Sequence, residues 1–310
     1  MEEFLWVEKY RPKKVEDIIL PPAIRTQFES FVKAGSVPNL ILSGGAGVGK
    51  TTCAKAVLEE LDCDYIIING SMNGRIDELR DGIKDFATSM SFTGKRKYVI
   101  IDEADYINGP LTQPALRNFM EEYSANCGFI LTCNFPEKII EPLHSRCTKI
   151  DFKITRSESS KLAQSFMKRV MMILDTEGIT YDAKVLAEFI MVHFPDWRKI
   201  LNELQGYGMA GTIDAGILSI TSNAEIKNLI ELLKKKDFKE TRKWLVSTDI
   251  GFDAMCRKIY DNIYDLVDKK SIPLLVVLMA DYSYKNAFAK NQEINAMALL
   301  VEMMTDISFV

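Results

Sequence analysis

The sequence is short of several features that mark common protein classes. It has only two histidines, and its six cysteines (Cys53, Cys63, Cys127, Cys133, Cys147 and Cys256) never fall in a C-x-x-C pair. A zinc site of the usual Cys/His spacing is therefore unsupported, and reduced, mostly buried thiols in a cytoplasmic compartment are expected. No apolar run approaches the roughly 20 residues of a membrane span, so no membrane contact is expected. The opening Met1-Glu2-Glu3-Phe4 is acidic rather than basic, which does not fit a secretory leader. Positive charge is not in excess either. The 39 Lys+Arg stand against 43 Asp+Glu, so any contact with nucleic acid must use a local patch. Repeats and low-complexity tracts are absent. What remains is an ordinary soluble composition, 47% hydrophobic and 26% charged over 310 residues, enough chain for two or three domains.

Against that background one segment stands out. Gly44-Gly45-Ala46-Gly47-Val48-Gly49-Lys50-Thr51 is a full P-loop, G-x-x-x-x-G-K-T. It follows the apolar run Leu40-Ile41-Leu42, a buried strand by pattern, and precedes the helical stretch that begins at Thr52. The glycines let backbone N–H groups turn inward around phosphate oxygens, and the helix N-terminus adds partial positive charge. Lys50 can then reach the β- and γ-phosphates, and the Thr51 hydroxyl can ligate Mg²⁺. The bland alternative, a glycine-rich turn, does not account for the Lys-Thr pair placed between a strand and a helix.

Further along, Tyr98-Val99-Ile100-Ile101-Asp102-Glu103 ends an apolar run in two carboxylates, as a Walker B strand does. Asp102 would hold Mg²⁺, and Glu103 would orient and deprotonate the attacking water. Asn134 ends a later strand, where its amide can bond that water or the γ-phosphate; a turn asparagine is the plain alternative. Arg198 opens a helix two residues after Asp196 and can reach back to the phosphates, unless it is only a solvated surface residue. Asp102-Glu103-Ala104-Asp105 also spells a helicase box, and Thr148-Lys149-Ile150-Asp151 mimics a guanine reader. The first needs a second strand-rich domain and the second a D-x-x-G. No such domain is legible after residue 152, and no D-x-x-G follows the P-loop at the right place, so adenine is favoured.

Strands are expected at 40–43, 65–68, 98–102, 129–133 and 148–152, alternating with amphipathic segments as in a parallel sheet covered on both faces. Their order is not readable. After residue 152 the strand signal stops. Thr155-x-x-Glu158 forms a capping box ahead of a helix, others follow at 182–192 and from 196, and glycines at 206–216 mark a second boundary. Capping boxes at Ser222 and Asp237, a helical stripe from Phe252 to Val267, and an Asn291 cap make the last third helical, with Met297, Met303 and Met304 expected in the core or at subunit contacts.

Taken together these residues resemble an AAA+ ATPase, and more narrowly the chain is similar to sliding-clamp-loader subunits of the replication factor C type. Four stretches carry the likeness. Trp6-Val7-Glu8-Lys9-Tyr10-Arg11-Pro12 matches the N-terminal box and Ser145-Arg146-Cys147 the S-R-C motif. Ile83-Lys84-Asp85-Phe86-Ala87 matches the helix after the second strand, and Pro195-Asp196-Trp197-Arg198 resembles the second sensor. The short N-terminus and Phe119-Met120-Glu121-Glu122-Tyr123-Ser124 make the loader large subunits of T-even-type phages the nearest group. The resemblance implies a P-loop α/β AAA+ domain at 1–153, with a five-stranded parallel sheet and flanking helices. A helical lid at 154–218 and an all-α collar at 219–310 would follow.

The resemblance also implies ATP and Mg²⁺, with the cradle running from Gly44 to Thr52 and Tyr10, Arg11 and Pro12 flanking the adenine. Arg146 would act in trans on a neighbour's site. Implied partners are a sliding clamp, primer–template DNA, a distinct loader subunit and further copies of this chain, four plus one in phage loaders, in the host cytoplasm. Three features depart from the family. Gly45 and Ala46 replace prolines, Met72-Asn73 replaces an acidic pair, and no zinc module is present. Arg75, Arg80 and Lys84 lie at spacings that share a helical face and are candidates for DNA phosphates. On the residues alone, with Asp77, Glu78, Asp81 and Asp85 interspersed, that face reads as an ordinary solvated one. Two other readings stay open: another AAA+ machine, such as a helicase loader or branch-migration motor, and a scaffold subunit that binds ATP without turning it over.

Overall fold

The structure, a computed structural model, describes residues 4–71, 76–91, 93–107, 112–221, 224–248 and 251–310, without the side chains of 76–81, 219–221 and 224–225. The chain divides into two compact units, Met1–Ile217 and Leu218–Val310.

The first unit opens with α1 (Trp6–Lys9) and α2 (Pro22–Ala34), then alternates β1 (Leu40–Ser43), α3 (Lys50–Glu60), β2 (Tyr65–Asn69), α4 (Ile76–Thr88), β3 (Lys97–Asp102), α5 (Gln113–Glu122), β4 (Cys127–Cys133), α6 (Glu141–His144) and β5 (Thr148–Asp151). The five strands form one parallel sheet in the order β2-β3-β4-β1-β5. Strand alternation divides its side chains between two cores. Leu40, Leu42, Tyr98, Ile100 and Ile130 face α2 and α3, packing with Phe28, Cys53 and Val57. Ile41, Val99, Ile101, Phe129 and Leu131 face the other way, onto Ile83, Leu116 and Phe119. Because both faces are covered, β1 and β4 are buried throughout and read in sequence as unbroken apolar runs. The edge strands β2 and β5 are half-exposed and carry polar residues.

The rest of this unit is α7 (Arg156–Thr176), α8 (Ala183–His193) and α9 (Trp197–Gly208), with β6 (Thr180–Tyr181) and β7 (Thr212–Ile213). The Thr155–Glu158 capping box is present, and Asp182 and Asp196 cap α8 and α9 with their carboxylates. The expectation of helices alone after residue 152 needs correction: β6 and β7 pair in parallel, Thr180 with Thr212 and Tyr181 with Ile213. Two-residue strands are too short to show alternation in sequence. Gly208, the last residue of α9, is closely packed: a Cβ there would meet Ile179 Cδ1 at 2.9 Å.

A short helix, α10 (Gly216–Thr221), spans the division. The second unit holds α11 (Ala224–Lys234), α12 (Phe238–Ser247), α13 (Phe252–Asp261), α14 (Ile263–Leu266), α15 (Ile272–Asn286) and α16 (Gln292–Asp306). Its core gathers Leu229, Trp244, Met255, Leu275, Leu300 and Met303, and Met297 and Met304 join them as expected of core methionines. The stripe from Phe252 to Val267 is not one helix, because the chain breaks at Asn262. Asp237 and Asn291 cap α12 and α16, whereas the box expected at Ser222 lies outside the described residues. Among the described residues, no helix is long and apolar enough to cross a membrane.

Candidate active site

Sheet register brings the polar ends of three strands together. Leu42 lies beside Thr132 and Ser43 beside Cys133, while Ile101 lies beside Leu131. The residues that follow β1, β3 and β4 therefore emerge at one carboxyl edge, where ligands bind in open parallel sheets. The turn after β1 runs through Gly44 (φ 146°), Gly47 (φ 68°) and Gly49 (φ 98°), backbone conformations that glycine alone adopts cheaply. Gly49 caps α3 and supplies no side chain to its first-turn N–H groups, which leaves that end of the helix suited to an anion.

Lys50 is buried at the head of α3. Its Nζ donates to Gly44 O (2.8 Å), Gly45 O (2.7 Å) and Asn134 Oδ1 (2.9 Å). Burial lowers its pKa, although nearby Cys133, Asp102 and Asp105 push the other way. Thr51 Oγ1 donates to Asp102 Oδ1 at 2.6 Å. These are two hard oxygen donors beside the phosphate cradle, which fit Mg²⁺. Glu103 follows at φ 56°, a conformation that costs a non-glycine residue energy and is characteristic of functional turns. Its backbone N–H donates to Thr132 Oγ1 (3.1 Å), and that hydroxyl in turn donates to Asp102 Oδ1 (2.5 Å).

The N-terminal box closes the other side. Trp6 N donates to Gln205 Oε1 (3.0 Å) on α9, and Tyr10 Oη donates to Glu177 Oε1 (2.5 Å) just past α7. Arg169 on α7 donates to Tyr10 O (2.9 Å) and Asp17 O (3.1 Å). Arg11 pairs with Glu8 and donates from Nη1 to Thr52 Oγ1 at 3.0 Å. A cleft results, lined by Tyr10, Arg11, Pro12, Ile18, Phe166, Trp197 and Arg198 and by the cradle from Gly47 to Thr52. Arg198 is exposed at its edge, while Gly45 and Ala46 stand exposed on the loop. An apolar slot opening onto a phosphate cradle has the chemistry to take a nucleotide base.

Arg146 lies apart from the cleft lining, after α6. Its Nε and Nη2 both donate to Glu121 Oε1, the former at 2.9 Å, and Nη1 donates to Pro142 O (2.8 Å) and Ser145 Oγ (3.2 Å). Of the proposed DNA face, Arg75 and the side chain of Arg80 lie outside the described residues, and Lys84 is exposed on α4.

Comparison with known proteins fits this geometry. A family model for the ATPase family associated with various cellular activities (AAA) matches residues 40–155, and one for the AAA+ lid domain of the sliding-clamp-loader large subunit matches 158–219. The chain is 34% identical to the sliding-clamp-loader large subunit of Enterobacteria phage T4, over 99% of this chain and 98% of that one. It is also 34% identical to that of Escherichia phage RB69, with the same coverage. Against the replication factor C small subunit of Methanocella arvoryzae it is 31% identical over 96% of each chain. The chain belongs to the AAA+ sliding-clamp-loader family. Among solved structures, the RuvB P216G mutant of Thermotoga maritima matches with a TM-score of 0.54 at 18% identity, over 80% of this clamp-loader chain and 85% of that one, a likeness of fold alone.

Two residues of the clamp-loader site were not singled out from the sequence. Thr132 ties the Glu103 backbone to Asp102. Buried Asp105 accepts the backbone N–H groups of Asn134 and Phe135, each at 3.1 Å, and so sets where Asn134 begins. Asp105 was visible only as the last letter of the helicase-like box.

Proposed function

We propose that the chain is the ATP-hydrolysing subunit of a sliding-clamp loader, using ATP binding and hydrolysis to open the clamp and place it on primer–template DNA. The observation that carries the hydrolytic part is the convergence of Lys50, Thr51, Asp102, Glu103 and Asn134 at one sheet edge. A scaffold subunit that only bound ATP would not need this full set. Membership of the clamp-loader family supports the clamp, the DNA and a ring with a distinct subunit as partners. Residues 1–153 would form the nucleotide domain, 154–218 the lid and 219–310 the collar, with copies of this chain and one distinct subunit closing the ring.

In this reading Tyr10, Arg11 and Pro12 flank the adenine, and backbone N–H groups from Gly44 to Thr52 hold the phosphates. Lys50 leaves the carbonyls of Gly44 and Gly45 and moves its charge to the β/γ-phosphates. Partial desolvation strengthens that new contact. Thr51 and Asp102 would hold Mg²⁺, which would supply neutralisation of phosphate charge. Glu103 takes the proton of the attacking water, Asn134 orients that water once Lys50 releases its amide, and Arg198 contacts the phosphates from the lid. Arg146 acts in trans on a neighbouring subunit's γ-phosphate.

The test pairs two variants in the assembled loader. Lys50→Ala is expected to lose ATP binding and turnover together. Glu103→Gln is expected to keep binding and lose turnover, since shape remains and the base is gone. Wild-type hydrolysis by Glu103→Gln protein would overturn the assignment.

A further inference from the structure

The contacts of Arg146 identify a second residue behind its proposed role. A guanidinium has five N–H donors in a fixed plane. Those on Nε and one on Nη2 go to Glu121 Oε1, and one on Nη1 goes to Pro142 O. The second N–H on Nη1 goes to the Ser145 hydroxyl at 3.2 Å, which leaves one N–H on Nη2 for an incoming anion. The side chain is held along one edge by a carboxylate and from the other side by a backbone carbonyl, yet remains 30% exposed. That is the condition of a donor set in place before its ligand arrives.

Glu121 also faces a second cation. Arg117, one turn earlier on α5, places its Nε 3.7 Å from the same Oε1. The carboxylate thus sits between two guanidiniums that would otherwise repel. The hydrogen bond from Arg146, with the charges of Arg146 and Arg117, holds the Glu121 carboxyl below the usual glutamate range, so it is ionised at neutral pH.

We propose that Glu121 is the positioning residue of the trans-acting arginine: its charge keeps Arg146 oriented for a γ-phosphate on the neighbouring subunit. The proposal rests on the reading of Arg146 as acting in trans. It assigns Glu121 an effect on the neighbour's site, not on its own. The two are 25 residues apart in sequence and meet because α5 packs against α6.

The experiment uses the assembled, clamp- and DNA-stimulated loader. Glu121→Gln keeps the shape and removes the charge, and Glu121→Asp keeps the charge on a shorter stem. Expected are an unchanged KM for ATP and a kcat lowered by up to about a hundredfold in Glu121→Gln, as for a misplaced reacting group, with partial recovery in Glu121→Asp. Mixing Glu121→Gln with Glu103→Gln protein should restore activity, since an intact site can then meet an intact Glu121–Arg146 pair. A wild-type kcat in Glu121→Gln rings overturns the proposal. So does a loss that mixing fails to repair while an Arg146→Ala plus Glu103→Gln mixture is repaired, because Glu121 would then act within its own subunit. If the Arg146→Ala mixture also stays inactive in intact rings, the trans reading itself fails and the proposal falls with it.

Discussion

Gly47 offers a graded test of how the phosphate loop meets the lid. A Cβ built on it would lie 1.7 Å from Asp196 Oδ1 and 3.2 Å from Asp196 Cα. Asp196 is the cap of α9, accepting from Lys199 N at 3.0 Å. Gly47→Ala therefore has two costs. Holding alanine at φ 68° costs about 1–2 kcal/mol. The Asp196 carboxylate must also retreat by roughly 1.5 Å to reach van der Waals distance, and losing its cap costs about 0.5–2 kcal/mol. The total, about 1.5–4 kcal/mol, corresponds to a fall in Tm of roughly 3–16 °C for a unit of this size.

Two neighbouring glycines serve as controls. Gly45 has no left-handed φ, and a Cβ there meets only Val48 Cγ1 at 3.9 Å, so Gly45→Ala is expected to be close to neutral. Gly49 is at φ 98° with open space around its Cβ, so its alanine variant carries the backbone cost alone, about 1–2 kcal/mol. Thermal unfolding should rank them Gly45, Gly49, Gly47. In a double-mutant cycle, the penalty of Gly47→Ala should shrink toward the Gly49→Ala value once Asp196 is changed to Gly. If Gly47→Ala melts with Gly45→Ala, or if the Asp196→Gly background leaves its penalty untouched, the loop and the lid helix are not in the contact described.

Two further outcomes can be checked separately. Neutralising Arg80 and Lys84 should weaken primer–template binding and flatten its dependence on salt while ATP binding holds, because fewer counterions are released; an unchanged salt slope would mean the α4 face is only solvated. Hydrogen bonds from Lys9 and Tyr10 hold the Glu177 carboxyl below its ordinary value of 4.5. Its contribution is therefore fully present above pH 4.5 and lost as pH falls through the depressed folded value. Trp6 fluorescence should report this loosening of the N-terminal box, and Glu177→Gln should abolish the pH dependence.

What was legible in the sequence and what was not follows from how each group is held in place. The cradle was legible because a phosphate is bound by the backbone of consecutive residues, so Gly44 to Thr51 had to appear as one string. The inner strands were legible because β1, β3 and β4 are covered on both faces and contain little but apolar residues. Thr132 and Asp105 stayed hidden because their partners are supplied by pairing β3 with β4, and strand order leaves no mark in a single sequence. Arg146 shows the same limit at closer range. A local carboxylate such as Glu141 is the partner that proximity suggests if the residue only paired locally. But α6 is a single turn, from Glu141 to His144, and the chain leaves it with Arg146 directed at α5 instead. The carboxylate that orients Arg146 is thus Glu121, supplied by a different helix. In the sequence the segment around Glu121 carries only a family resemblance, with nothing in its spacing to tie it to Arg146.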